Sequence, residues 1–240
     1  MQLPRRIHPD PIVESTVEIR FDTLIDRNAV FGVLYYALRD QFPTVEPLPV
    51  LQLPEQIRDA DPLFAHQPQY RLTNADYQVQ IGFNVLSINI QSAYPGWATF
   101  SAMIQEIYTK LAPLGVIGTV RRLGVRYISF FEGDIFSNLR LKLTVPGYEQ
   151  GGFPTVCRFE LPNAPFVNAL SLANHTTFRQ VNSDVALTGS IIDIDTSLTG
   201  ELTDFFHTMP TLLNQAHQSE KELFYNLLTA EFLTSLNPEY

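Results

Sequence analysis

The segment Arg121-Arg122-Leu123-Gly124-Val125-Arg126-Tyr127-Ile128-Ser129-Phe130-Phe131 lies at the middle of the chain and alternates with a period of two. That period is a strand signature, because successive side chains leave a pleated backbone on opposite faces. Leu123, Val125 and Tyr127 fall on one face, and Arg122, Gly124 and Arg126 on the other. Such a ribbon buries its first face beneath other elements and turns its second towards solvent or a partner. It predicts an architecture and a binding surface, and no reaction.

The elements on either side extend this reading. Ile12 to Phe21 alternates as a first strand, with Val13, Val17, Ile19 and Phe21 on one face and Glu14, Thr16, Glu18 and Arg20 on the other. Asp26 is placed to cap a helix from Arg27 to about Gln41. Thr44 to Pro68 carries five prolines and reads as an irregular, apolar excursion. Tyr70 to Asn74 and Tyr77 to Gln91 read as antiparallel strands. The apolar phase of the second changes after Val85, which predicts a bulge near Val85-Leu86. Trp97 to Leu111 has a helical stripe that Pro113 and Gly115 end.

Beyond the central strand, Leu139 to Val145, Thr155 to Leu161, Phe166 to Thr177 and Val185 to Asp195 alternate as strands. They are separated by turn clusters at Gly151-Gly152, Pro162 to Pro165 and Asn182 to Asp184. Glu201 to Leu236 has a long helical stripe, expected to kink at Pro210, with Ser219 and Glu222 spaced as a capping box. This order predicts an α+β fold of two fused halves, residues 1–118 and 119–240. Each half is an antiparallel sheet with helices packed on one face, and the second ends in the long C-terminal helix. With 240 residues, the two halves are expected to form one compact unit.

The net charge of −9 argues against a general affinity for nucleic acid or anionic lipid. The single cysteine, Cys157, permits no disulfide within the chain and no cysteine-rich zinc site, and it fits a reducing compartment. No apolar run follows Arg5-Arg6 as in a signal peptide, and no segment is long and apolar enough to cross a bilayer. A cytoplasmic location is the expectation.

Three stretches together resemble a known family. They are Asp10-Pro11-Ile12-Val13-Glu14-Ser15 with Glu18-Ile19-Arg20-Phe21, then Tyr94-Pro95-Gly96-Trp97, then Arg122-Leu123-Gly124-Val125-Arg126-Tyr127-Ile128. The chain is similar, over nearly its whole length, to a sporadically distributed bacterial family without an established activity. That family's usual ending, an acidic strand followed by a helix with His and then Phe, is similar to Asp193-Ile194-Asp195 and His217 with Phe224. Where the family's central strand commonly continues with Asn, this chain has Ser129. The resemblance implies mobile or defence-linked genes and no particular chemistry.

Arg122 and Arg126 are the first candidates for a site. They stand about 13 Å apart on one strand face, and Gly124 between them leaves room for a phosphate, a carboxylate or a partner's backbone. The competing reading pairs them across strands with Glu14, Glu18, Asp193 or Asp195, as on many solvated sheet faces. Asp193 and Asp195 share a face, but no third acidic residue stands at ligand spacing. The five histidines and Cys157 form no metal or nucleophile motif. Glycine-rich phosphate motifs are absent as well.

The sequence thus predicts a non-enzymatic binding or assembly component, without cofactor or metal. Its expected partner is another protein or a second copy of itself, held at Glu18, Arg122, Gly124, Arg126, Asp193 and Asp195. The alternative is a sensor or enzyme that binds an anionic small molecule, such as a nucleotide, at Arg122, Gly124 and Arg126. A nucleic-acid reader is a third reading, which the acidic balance opposes.

Overall fold

The structure, a computed structural model, describes residues 3–148, 153–179 and 186–240. The turn clusters expected at Gly151-Gly152 and Asn182 to Asp184 lie outside these residues. Among the described residues the architecture is mixed α+β, with five helices and one nine-stranded antiparallel sheet. In chain order the elements are β1 (Ile12–Thr23), α1 (Arg27–Leu38), β2 (Thr44–Pro47), α2 (Glu55–Ala60), β3 (Tyr70–Thr73), β4 (Tyr77–Ile81), β5 (Val85–Ile90) and α3 (Trp97–Leu111). There follow β6 (Ile117–Glu132), β7 (Val156–Asn163), β8 (Phe166–Arg179), β9 (Ala186–Leu202), α4 (Phe205–Leu227) and α5 (Ala230–Ser235). The strand order is β2-β3-β4-β5-β1-β6-β9-β8-β7.

The chain forms two compact units, one of residues 16–125 and 197–215, the other of residues 1–15, 126–196 and 216–240. In the first, β1 buries Val17, Ile19 and Phe21 on one face. Strands β4 and β5 add Val79, Ile81, Leu86 and Ile88, and α1 and α3 supply Val30, Leu34, Leu38, Phe100, Ile104 and Ile107. Asp26 caps α1 as its position predicts, accepting from the backbone N–H of Asn28 at 2.8 Å.

The second unit has its own core. Phe131, Leu170, Leu172, Ile192 and Ile194 on the sheet meet Phe224, Leu227, Leu228 and Leu236 on α4 and beyond it. Along α4, Phe205, Met209, Leu213, Ala216, Glu220, Phe224 and Leu227 are all buried, a repeat of four, four and three residues that keeps one stripe inward.

Several details differ from the sequence reading. Tyr77 to Gln91 is a hairpin rather than one bulged strand. Gly82, Phe83 and Asn84 form the turn, closed by the Gly82 N–H donating to the Val85 carbonyl at 2.9 Å. The phase change is the chain reversing direction. Leu139 to Val145 is not a strand. Its leucines still pack inward, but its backbone joins the end of α4, with the Arg140 N–H donating to the Leu227 carbonyl at 2.7 Å. Within Thr44 to Pro68, β2, α2 and two 3-10 turns appear.

The long helix runs unbroken through Pro210 and Ser219, and it stops only after Leu227. Thr229 then caps α5, its hydroxyl accepting from the Phe232 N–H at 3.3 Å. On β1, Val13 is exposed and Ser15 is buried. No helix of the described residues is long and apolar enough to cross a membrane.

Candidate binding surface

Each unit carries a polar sheet face built from the residues the alternation singles out. In the unit of residues 16–125 and 197–215, Glu18 projects from β1 beside Arg122 of β6. One oxygen, Glu18 Oε1, accepts from Arg20 Nε at 2.8 Å and from Arg122 Nη1 at 3.0 Å. The Arg122 side chain is only 14 % exposed, so this charge is held rather than free to reach outward.

Gly124 explains where the guanidinium goes. A Cβ at that position would collide with Nη1, Cζ and Nη2 of Arg122. The space beside the glycine is therefore occupied by the arginine two residues earlier. On the same unit, Thr16 Oγ1 donates to Asn89 Oδ1 at 2.6 Å, and Asn89 Nδ2 donates to Ser87 Oγ at 3.1 Å. Arg121 lies between Asp22 and Glu201, bonded to both, and their hydrogen bonds push its pKa further up.

The other unit has a different charge balance. Arg126 Nε and Nη2 donate to the two oxygens of Asp193 at 2.8 and 2.7 Å, a bidentate fork. These bonds raise the Arg126 pKa, and the charges of Glu14 and Asp195 raise it further. Three carboxylates thus act on one guanidinium. The Arg126 side chain is 43 % exposed, so the patch is wet. Ile192 and Ile194 are buried while Asp193 and Asp195 are half-buried, so the two aspartates face away from the core.

One buried cluster escaped the sequence reading. Under α4, Asn168 Oδ1 accepts from the hydroxyls of Thr196 at 2.6 Å and Ser219 at 3.2 Å, and Asn163 Nδ2 donates to Ser219 Oγ at 2.8 Å. Next to Ser219, the buried Glu220 has its carboxyl pushed up to about 8 by desolvation, against the opposing pull of Lys221. One turn earlier His217 stacks obliquely on Tyr127, with ring centroids 5.6 Å apart. Burial, with the Lys221 charge, holds this imidazole down to about 3, so it is neutral at ordinary pH. The signal was present in the sequence: Ser219 and Glu220 fill the gap in the apolar stripe between Ala216 and Leu223.

Among the described residues no three His, Cys, Asp or Glu side chains gather at metal-binding distance. Cys157 is half-buried, and that burial raises its thiol pKa. No protein-family model matches the sequence, and no curated protein matches it either.

Proposed function

We propose that the chain is a non-enzymatic, cytoplasmic binding or assembly component that holds a basic segment of another protein against Glu14, Arg126, Asp193 and Asp195. The observation that carries this reading is the half-exposed Arg126–Asp193 fork with Glu14 and Asp195 acting on the same guanidinium. A fork of this kind fixes one carboxylate in place. The net charge of −9 then favours a cationic partner, and it acts mainly on encounter rate and specificity.

The resemblance to a patchily distributed bacterial family supports a place in a defence or toxin–antitoxin type of assembly. The reading also takes the chain as two α+β halves, 1–118 and 119–240, each with helices on one face of its strands. The strand order supports it: β1 neighbours β5, the last strand of its half, and β6 neighbours β9, the last strand of the other.

The test is co-purification from the native host with Glu14→Lys and Asp195→Lys. Wild-type protein should bring down a stoichiometric partner that the double variant loses while its melting temperature moves little. A double variant that keeps the partner contradicts the reading.

A second reading rests on Arg20 and Arg122 sharing one oxygen of Glu18, which sets two guanidiniums side by side. An anionic ligand such as a nucleotide would compete with Glu18 there. A nucleotide panel in a thermal-shift assay decides it. Stabilisation at ligand concentrations far above Kd supports this alternative, and silence removes it.

A further inference from the structure

We propose that β7 is a homodimer seam, at which two copies of the chain pair the outer edges of this strand antiparallel about a two-fold axis through Phe159. The proposal rests on β7 alone and makes no use of the acidic patch described above.

Strand β7 ends the sheet order, and among the described residues β8 is the only strand that pairs with it. Its register with β8 runs from Val156 opposite Ala173 to Asn163 opposite Phe166. The same register continues one pair further, where the Asn174 N–H donates to the Thr155 carbonyl at 3.1 Å. Antiparallel ladders alternate bonded and non-bonded pairs. Cys157, Phe159 and Leu161 therefore direct their backbone groups at β8. Val156, Arg158 and Glu160 direct theirs outward. Pro162 falls in the outward set, the one place in an edge strand where a missing N–H costs the sheet nothing.

An outward row of backbone donors and acceptors is a template for another strand. The side chains say which strand fits. Arg158 and Glu160 are 62 % and 72 % exposed and sit two residues apart on the same face. With the two-fold axis through Arg158, two arginines would meet, and with the axis through Glu160, two glutamates would meet. With the axis through Phe159, each Arg158 faces the other copy's Glu160, twice over. This is the register in which both charges find opposite partners, and opposite charges directly across strands stabilise while like charges repel.

The remaining residues agree. Val156, 83 % exposed, meets Pro162 of the other copy, which offers it a carbonyl and needs no acceptor. On the helix side, Phe159 packs against its own core and faces its symmetry mate in a close non-bonded pair. The partly exposed Leu161 gains the other copy's Cys157. About six backbone hydrogen bonds would cross the seam. One strand per copy is a small interface, so the dimer belongs in the micromolar range.

Sedimentation equilibrium between about 10 and 500 μM tests this, a range matched to weak interfaces. Wild-type protein should pass from monomer to dimer. Arg158→Glu and Glu160→Arg should each weaken dimerisation at least about tenfold, because each sets like charges against each other on both sides of the two-fold axis. A one-to-one mixture of the two variants should form a heterodimer, since an acidic edge then faces a basic one. The double variant R158E/E160R should recover the homodimer, which also shows that the substitutions leave the fold intact. A wild type that stays monomeric throughout overturns the proposal. So does a dimer indifferent to the single substitutions, or a failure of both the mixture and the double variant to dimerise.

Discussion

Two glycines show how differently one missing Cβ can act. At Gly124 the neighbour in the way is the tip of Arg122, which can swing aside. Gly124→Ala should therefore displace the guanidinium, break its bond to Glu18 and cost on the order of 1 kcal/mol. At Gly189 the obstruction includes the carbonyl oxygen of Phe131, which belongs to a strand and cannot move alone. Gly189→Ala should cost several times more, on the scale of severe backbone conflicts, about 3 kcal/mol or above. Urea denaturation of the two variants side by side checks the ranking, and equal losses would refute it.

Titration at Glu220 and His217 gives a second prediction at this scale. The folded Glu220 carboxyl holds its proton up to about 8, against an ordinary value of 4.5. Its contribution to stability is complete below pH 4.5 and is lost as pH rises towards 8. His217 is held neutral down to about 3, against 6.5. Its contribution is complete above pH 6.5 and is lost as pH falls towards 3. From these two groups stability should be level between about pH 4.5 and 6.5 and fall on either side, by up to about 1.4 kcal/mol per pH unit. Glu220→Gln should gain on wild type progressively as pH is raised from 4.5 to 8. A stability difference that does not change with pH would show that the carboxyl is already ionised in the fold.

At the level of elements, α4 carries most of what the sequence concealed. Ser219 and Glu222 have the spacing of a capping box, yet the helix does not restart there. Ser219 instead closes the hydrogen bonds of Asn163 and Asn168 from the adjacent strands. A capping box and a mid-helix serine bonded to a distant strand look alike in sequence, because the deciding partner is 51 residues away. Ser219→Ala should leave the two amides short of a partner and cost about 1–3 kcal/mol. Thermal or urea unfolding measures it, and a neutral result would mean that water replaces the hydroxyl.

Elsewhere, legibility followed the range of the interactions. Helix α3 was readable from Trp97 to Leu111 because its stripe is local. The reversal at Gly82 to Asn84 was missed because Phe83 and Val85 continue the alternation of Val79 and Ile81 through the turn. Leu139 to Val145 alternates as well, but Leu141 and Leu143 pack from an irregular segment on a core of both strand and helix residues.

For the whole molecule, the alternation around Leu123 assigned Arg122, Arg126, Asp193 and Asp195 to faces. It could not assign partners, because those depend on β1 and β9 flanking β6, an outcome of long-range strand order. Glu18 bonds Arg122 and Asp193 bonds Arg126. The consequence is that an apparent pair of free guanidiniums is a matched set. The acidic side chains around Arg126, in a chain of net charge −9, are the basis of the proposed partner recognition. It is most directly tested by titrating the co-purified partner calorimetrically against wild type and Asp195→Asn at low and high salt. The account predicts an affinity that falls with added salt, and about a tenfold loss in the variant at low salt that narrows at high salt. Equal affinity for both proteins, insensitive to salt, would contradict it.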